Sequence, residues 1–494
     1  MRAKPARPPK NTPPQPAWQR QAETLGRSRL AYPVASLILL VPCFWQSRLQ
    51  AGDLSSHIYN AWLAQLIEAG RAPGLVIARQ TTNVLFDLML SGILRVAGAG
   101  AAQRIAVSLA VLVFIWGAFA FASVVSGRRA WRVLPIIAML AYGWVFHVGF
   151  FNFYLSLGLC FAAMALCWEW RPRRSAAAVP VLLVAWLAHA LPVAWTLSLL
   201  AYLWLARRRG HRPRLYLLAA CLGGIVLLRV ALGASMFTRW FSTQILTATG
   251  LDQVRVFDSK YDLILCGLVL IWGLPLLGVL RQPLAQLAAA SIPFQFCVLT
   301  AFGILVLPTL VLLPGYKHAL AFIAERMSLA LGICICGSLA GVRSRPYQNY
   351  LLALVVLVFF GFLFRDEGVF NAFEDRMERL VAQLPPGQRV TGGITASNLH
   401  VDALNHMIDR VCLGRCYSYA NYEPSTTQFR IRVVGQSPIV VSTYEDSWSL
   451  QAGVYTVKER DLPLYEINLD PNGRMVLLSL QPGGPSGMTS WNPL

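Results

Sequence analysis

The residues best suited to chemistry lie in one short polar segment, Gly52–Trp62. On a helix, four of them share one stripe: Asp53, Ser56, His57 and Asn60. A carboxylate one turn from an imidazole can act as general base on an incoming hydroxyl group, or it can help to hold a metal ion. The simpler alternative is that Asp53 caps the helix N-terminus while His57 points to water. We take Asp53 and His57 as candidate catalytic residues and Asn60 as a candidate substrate-binding residue.

Other polar residues stand at the ends of apolar segments, where a site at a membrane surface would need them. Polar groups at membrane depth are costly and often functional. A guanidinium group contacts phosphoryl oxygens in a bidentate way, so Arg326, with Lys317 nearby, is a candidate phosphate-binding residue. The alternative is that Glu325 and Arg326 are interfacial charges in contact with headgroups. The other candidate substrate-binding residues, each of which could be an ordinary packed residue, are His147, Asn152, His189 and Glu325.

Two features near the C-terminus add to these candidates. Cys412 and Cys416 can form a disulfide in an oxidising compartment if the backbone bends between them, or they can be free thiols on one helix face. The run Tyr417–Pro424 is dense in tyrosine, Asn and Glu, which suits a carbohydrate surface but equally suits a loop at the edge of a core. The sequence contains no Walker loop, strand-linked dinucleotide fingerprint, zinc spacing or nucleophile elbow.

The composition places these residues in a membrane protein. Hydrophobic residues make up 56% of the chain and charged residues 13%, and several apolar runs reach the ~20 residues needed to cross a bilayer. The net charge of +20 does not indicate nucleic acid, because residues 365–494 hold 11 Lys/Arg against 14 Asp/Glu and the positive excess lies entirely before them. Residues 1–30, rich in Pro, Lys and Arg, are predicted to be a disordered cytoplasmic tail.

Hydropathy and charge together predict the topology. Eleven spans are expected, at 31–47, 105–126, 133–148, 151–169, 176–190, 192–206, 215–235, 261–280, 284–312, 327–342 and 347–364. The positive-inside rule places five basic clusters in the cytoplasm with the tail: Arg128/Arg129/Arg132, Arg171/Arg173/Arg174, Arg207–Arg209 with Arg212/Arg214, Arg281, and Arg343/Arg345. The apolar segment Asn83–Val96 would break this pattern as a span, so we interpret it as an interfacial or re-entrant helix inside a long first outer loop, 48–104.

The predicted fold is therefore an all-α polytopic membrane bundle, residues 31–365, followed by an extracytoplasmic α/β domain, residues 366–494. Within that domain, Asp470-Pro471-Asn472-Gly473 separates two strand-like runs and predicts a hairpin at 464–480. The expected location is a bacterial inner membrane, with a cytoplasmic N-terminus and a periplasmic C-terminal domain.

This layout resembles the GT-C superfamily of glycosyltransferases, which use polyprenyl-phosphate-linked sugars. The resemblance rests on an acidic residue, Asp53, directly after the first span, on interfacial helices next, and on a span that ends in Gly127-Arg128-Arg129. It covers the layout of roughly the first 170 residues and, more loosely, the many-span body with an outer C-terminal domain. It implies an outward-facing site, Asp53 as the catalytic base and a sugar on a lipid phosphate as the donor, whose phosphate we assign to Arg326 and Lys317.

The implied partners are membrane lipid, the lipid-linked sugar and an extracytoplasmic glycan, lipid or protein acceptor. No cofactor is assigned, and a divalent metal is possible but not indicated by the residues. Two other functions stay open: a transporter or flippase of a lipid-linked solute, or a non-catalytic membrane scaffold that binds cell-envelope polymer. A transporter is expected to have ionisable residues near the centres of its spans, and this sequence has few of them, which counts against transport.

Overall fold

The computed structural model of the chain describes residues 29–280, 291–342, 345–396 and 398–492. Nearly all of the predicted tail, together with Arg281 and Arg343, lies outside these residues. The α-helices are Ala31–Leu39, Gly52–Glu68, Leu85–Ser126, Leu134–Ala141, Trp144–Val148, Phe151–Cys167, Pro172–Ala188, Ala190–Arg207, His211–Ser235, Gln244–Thr247, Asp262–Leu280, Ile292–Val306, Ile323–Ala340, Pro346–Val381, Met407–Val411, Tyr422–Thr426 and Tyr444–Gln451. The strands are β1 (Leu75–Ile77), β2 (Phe237–Arg239), β3 (Leu310–Leu312), β4 (Arg389–Gly392), β5 (Ile394–Thr395), β6 (Tyr417–Ser418), β7 (Ile431–Val433), β8 (Leu464–Leu469), β9 (Met475–Ser479) and β10 (Thr489–Ser490).

The chain is a helical membrane protein by the length and composition of its helices. Among the described residues, five helices are long and apolar enough to cross a membrane: Leu85–Ser126, Ala190–Arg207, His211–Ser235, Ile323–Ala340 and Pro346–Val381. The most apolar window of His211–Ser235 is only 6% buried within the protein, whereas that of Ile323–Ala340 is 72% buried. His211–Ser235 therefore presents its apolar surface to the outside of the protein, whereas Ile323–Ala340 packs inside the bundle.

The prediction of eleven spans is wrong, because only five helices among the described residues are long and apolar enough to cross a membrane. Several of the predicted spans form helices that are too short, such as Ala31–Leu39 with 9 residues and Ile292–Val306 with 15. A helix rises 1.5 Å per residue, so 15 residues extend about 22 Å, less than the ~30 Å hydrocarbon core. Hydropathy detects apolar segments but does not show where glycine, proline or a turn divides them.

The segment after the first short helix contains the helix Gly52–Glu68, strand β1 and the start of Leu85–Ser126. That long helix is interrupted at Gly98, whose φ of 74° and ψ of 170° are not helical. Only glycine adopts this conformation at little cost, so the apolar segment 85–97 and the segment after it are two helical pieces joined by a kink. This agrees with the prediction of a separate helix at Asn83–Val96.

The C-terminal part combines short helices with a four-stranded sheet in the order β6-β4-β8-β9. Strand β4 pairs in parallel with β6 and β8, and β8 pairs antiparallel with β9, from Tyr465 opposite Ser479 to Leu469 opposite Met475. The predicted hairpin is confirmed, with its turn at Asp470–Gly473, where Gly473 has a φ of 73°. The helix Pro346–Val381 runs without interruption through the predicted domain boundary at 365/366.

The early part of the chain is built into this C-terminal part. Strand β1 pairs antiparallel with β7, with Val76 opposite Arg432. A Cβ atom at Gly74 would lie 2.3 Å from the Gln436 carbonyl oxygen, so the two segments are in backbone contact. One hydrophobic core runs from the membrane helices into the C-terminal sheet and includes Leu54, Phe370 and Ile467.

Candidate functional site

A cavity of about 520 Å³ lies between the bundle and the C-terminal part. The helix Gly52–Glu68 forms one wall, the start of Ile323–Ala340 forms another, and loops of the C-terminal part cover it. Six of the predicted site residues line it: Asp53, His57, Asn60, Asn152, His189 and Arg326. These residues are far apart in sequence, and the fold brings them to one place.

Asp53 lies in the first turn of its helix, which begins after the extended residue Ala51. A carboxylate is favoured there because the helix N-terminus carries a partial positive charge. The chain packs tightly around this turn: a Cβ atom at Gly149, whose φ is 97°, would lie 2.6 Å from the backbone nitrogen of Asp53. The Asp53 side chain remains 26% exposed, so its position is fixed while its carboxylate stays accessible from the cavity.

The ring of His57 is held by Asp87, an acidic residue that belongs to no sequence motif. Its Nδ1 atom lies 2.6 Å from Oδ1 of Asp87, and the amide of Asn152 donates to Oδ2 of Asp87 at 2.8 Å. The backbone N–H of Phe86 in turn donates to Oδ1 of Asn152 at 2.8 Å. Burial disfavours a charged imidazole, but the charge and hydrogen bond of Asp87 outweigh it and raise the pKa of His57 to about 9. His57 is therefore a cation at neutral pH.

Arg326 is a cation without a carboxylate partner. It lies in the first turn of Ile323–Ala340, and its guanidinium carbon stands 3.7 Å from the centroid of the Phe150 ring. One Nη1 atom is 3.4 Å from Nε2 of His189, and the buried Nε atom has no hydrogen-bond partner. Within the described ranges, no Asp or Glu oxygen comes within ion-pair distance of Arg326, although Asp53 is close enough to interact with its charge. An anion in the cavity would satisfy these donors.

The C-terminal part contributes Glu423, which is joined to the stripe of the first helix by a chain of hydrogen bonds. Asn421 donates to Oδ1 of Asn60 at 2.8 Å, Asn60 donates to Oγ of Ser56 at 3.1 Å, and Ser56 donates to Oε1 of Glu423 at 3.3 Å. Burial, together with the nearby charge of Asp87, raises the pKa of Glu423 to about 8. Glu423 is thus a neutral acid at pH 7.

Three predicted site residues lie elsewhere. His147 is 0% exposed, and its Nδ1 atom lies 3.0 Å from the carbonyl oxygen of Gln50, so it packs behind the cavity wall. Glu325 accepts a hydrogen bond from the hydroxyl of Thr309 and points away from the cavity, because neighbouring residues on a helix face different directions. Lys317 is exposed and does not line the cavity, whereas the next residue, His318, does.

The two C-terminal cysteines form a disulfide between Cys412 and Cys416. The bond closes the turn after the helix Met407–Val411 and lies outside the cavity lining. Among the described residues, no group of three His, Cys, Asp or Glu side chains is placed to hold a metal ion.

The sequence did not single out every polar residue of the cavity. His406, Asp402 and Arg430 line it from the C-terminal part. None stands in a motif or beside an apolar span, and the contact of His406 with Asp53 arises only through the fold. Asp87 could have been found from the sequence. A carboxylate within an apolar helix is energetically costly, and such residues are often functional.

The chain was also compared with known proteins. No family model, curated protein or solved structure matches it.

Proposed function

We propose that this protein is an integral-membrane glycosyltransferase of GT-C-like architecture, which transfers a sugar from a polyprenyl-phosphate donor to an extracytoplasmic acceptor. The observation that carries this proposal is the shared cavity of Asp53 and Arg326. One supplies an accessible carboxylate and the other a guanidinium with unused donors. A base and an anion site in one pocket are what transfer from a sugar phosphate to a hydroxyl requires.

The donor phosphate would bind at Arg326. The helix Ile323–Ala340 is one of the five candidate spans, so this guanidinium stands at the end of a membrane helix, where a lipid phosphate is available. Phe322 is 47% exposed beside it and offers an apolar surface next to the charge. Arg430 also lines the cavity and donates to Ser91 Oγ at 2.7 Å, so a second guanidinium adds positive potential.

The reaction would be a single inverting displacement. Asp53 removes the proton from the acceptor hydroxyl, whose oxygen bonds to the anomeric carbon of the sugar. The bond from that carbon to the phosphate oxygen breaks, and the electron pair leaves with the polyprenyl phosphate. Arg326 stabilises the charge that develops on this leaving group. His57, held by Asp87, supplies a further positive charge within the cavity.

The acceptor would enter from the side of the C-terminal part. Tyr422, Tyr444 and Trp448 line the cavity there, and Trp448 is 59% exposed. Tyr444 and Trp448 are one turn apart on the helix Tyr444–Gln451 and so share a face. Aromatic rings with polar edges provide flat surfaces for sugar rings and for hydroxyl contacts.

The test is Asp53→Asn in membranes supplied with a panel of labelled polyprenyl-phosphate sugars. We expect the transfer rate to fall by about 10²–10⁴-fold, the usual contribution of a general base, while donor binding persists. Glu445→Gln, which changes an exposed carboxylate outside the cavity, is the matched control and should transfer at the wild-type rate. Unchanged transfer by the Asp53 variant would remove this residue from the mechanism.

A further inference from the structure

We propose that His406 and Asp409 position the carboxylate of Asp53, so that the C-terminal part completes the catalytic base. This inference rests on the proposed function. Nε2 of His406 lies 3.7 Å from Oδ1 of Asp53, and Nδ1 of the same ring lies 3.3 Å from Oδ2 of Asp409. The three groups form a carboxylate–imidazole–carboxylate array that runs from the cavity into the protein.

The inner end of this array is fixed. Asp409 is 2% exposed and accepts a hydrogen bond from the hydroxyl of Ser418. His406 is 5% exposed, and its ring packs against Tyr422 with 5.4 Å between the ring centroids. Nε2 of His406 also lies 3.2 Å from Nδ2 of Asn405, so turning the ring would break this contact as well as those with the two carboxylates.

The charge of the array suits this role. Burial disfavours a charged His406, but the hydrogen bond and charge of Asp409, with the charges of Asp53 and Glu423, raise the pKa of His406 above its usual value. The ring that faces Asp53 therefore keeps its proton to a higher pH than a free imidazole does. The charged or titratable groups that surround it are Asp53, Asp402, Asp409, Glu423 and His318.

A contact on one oxygen of Asp53 leaves the other for the substrate. With Oδ1 directed at His406, Oδ2 is free to accept the proton of the acceptor hydroxyl. The proton of the acceptor hydroxyl moves to Oδ2 of Asp53, so no further proton or electron is required. The base therefore reaches its working geometry only when the loop that bears His406 lies against the helix Gly52–Glu68.

The contact can be tested without any substrate. In the full-length protein in detergent, carbon-13 labelling at Cε1 of histidine and assignment with His406→Gln give the titration of His406 by NMR. We expect the pKa of His406 to fall in Asp53→Asn and further in Asp409→Asn, because each variant removes a negative charge beside the ring. Asp470→Asn, in the distant hairpin turn, is the control. A titration that Asp53→Asn leaves unmoved would overturn the inference.

The role in catalysis is tested by transfer kinetics of His406→Gln, which keeps a hydrogen-bonding side chain and loses the charge. We expect kcat to fall about 10- to 100-fold with the donor KM unchanged, as for other residues that orient a reacting group. A lower yield of folded protein with kcat and the donor KM both unchanged would show a structural role instead. If the wild type transfers no sugar from any donor, the proposed function fails, while the titration still decides the contact.

Discussion

At the scale of single residues, two arginines with opposite surroundings explain much of this site. Arg410 is satisfied: Glu374 accepts from it at 2.7 and 2.6 Å, and the carbonyl oxygen of Leu49 accepts at 2.7 Å. Arg326 lies against the ring of Phe150 and contacts His189, and its Nε atom has no hydrogen-bond partner. No carboxylate among the described residues forms an ion pair with it. Arg410 has a carboxylate partner, whereas Arg326 has none in the described part of the chain and keeps a donor without a partner. We infer from this contrast that Arg326 binds a ligand rather than stabilising the fold.

This contrast predicts opposite effects of the same substitution. Arg326→Met should leave the thermal stability of the purified protein unchanged or higher, because it removes an unpaired charge, and should weaken donor binding about 10- to 100-fold. Arg410→Met should cost about 3–5 kcal/mol of stability, because the buried Glu374 loses its closest guanidinium partner and keeps only the amide of Gln50 and the longer contact with Arg48. Thermal unfolding and binding of a fluorescent polyprenyl phosphate measure the two effects. Equal destabilisation by both variants would contradict the assignment.

The titrating groups of the cavity predict how donor binding depends on pH. The pKa values of Glu423, about 8, and His57, about 9, are both raised, so each group keeps its proton at neutral pH and loses it as pH rises through its own value. Each loss makes the cavity more negative and should weaken binding of an anionic donor by roughly 10-fold.

Variants separate these two steps. Glu423→Gln should abolish the weakening near pH 8, and His57→Gln should abolish the one near pH 9, with the affinity of the second variant already reduced at pH 7. Donor affinity measured by fluorescence across this pH range provides the check. An affinity that rises with pH would mean that the signs of these charges are wrong.

At the scale of elements, the site depends on where helices begin. Asp53 and Arg326 both lie in first turns, and both positions are set by unusual backbone nearby: Gly149 packs on the start of one helix, and Phe322, with a φ of 57°, precedes the other. A side chain in the first turn of a helix is held more rigidly than one on a loop, because the following turns fix the backbone.

Gly149 provides the test at this scale. A methyl group there would lie 2.6 Å from the Asp53 nitrogen and would force a φ of 97° on a residue that rarely adopts it. We expect Gly149→Ala to cost about 1–3 kcal/mol of stability and to lower transfer by displacing Asp53. Gly210→Ala is the matched control, because a Cβ atom there meets nothing within 4 Å and the φ of Gly210 is −68°. Thermal unfolding and transfer rates of both variants give the result; similar effects would contradict a specific contact at Gly149.

At the scale of the whole molecule, the C-terminal part and the membrane part share one structure. Three sets of contacts join the early chain to residues after 365: the β1–β7 pairing, the ion pairs of Arg48 with Asp375 and Glu378, and the hydrogen bond from Arg410 to the carbonyl oxygen of Leu49. The cavity has walls from both parts, so we expect neither part to form the site alone.

The proposed orientation places this assembled site outside the cytoplasm. A single cysteine introduced at the exposed Asn472 should react with a membrane-impermeant maleimide in intact cells, whereas one at the exposed Arg209 should react only after the membrane is opened. The native protein without either substitution gives the background of its own thiols. Labelling of Arg209→Cys but not Asn472→Cys in intact cells would reverse the orientation.

The sequence by itself determined the broad class of this protein and identified three residues that line one wall of its cavity. Apolar runs and sparse charge indicate a helical membrane protein, because long apolar segments are stable in a bilayer. Asp53, His57 and Asn60 were found because helical periodicity is local and reads directly from their spacing, and the hairpin at β8–β9 was found because its turn residues favour one geometry.

Only the tertiary structure decided the rest. It reduced eleven predicted spans to five long helices, because the ends of helices depend on packing and backbone breaks such as Gly98 as well as on hydropathy. It separated Arg326 from Glu325 and Lys317, which neighbour it in sequence but not in the cavity. It also brought His406 and Glu423 to Asp53, which no periodicity can predict, since contacts between distant segments are fixed by how whole elements pack.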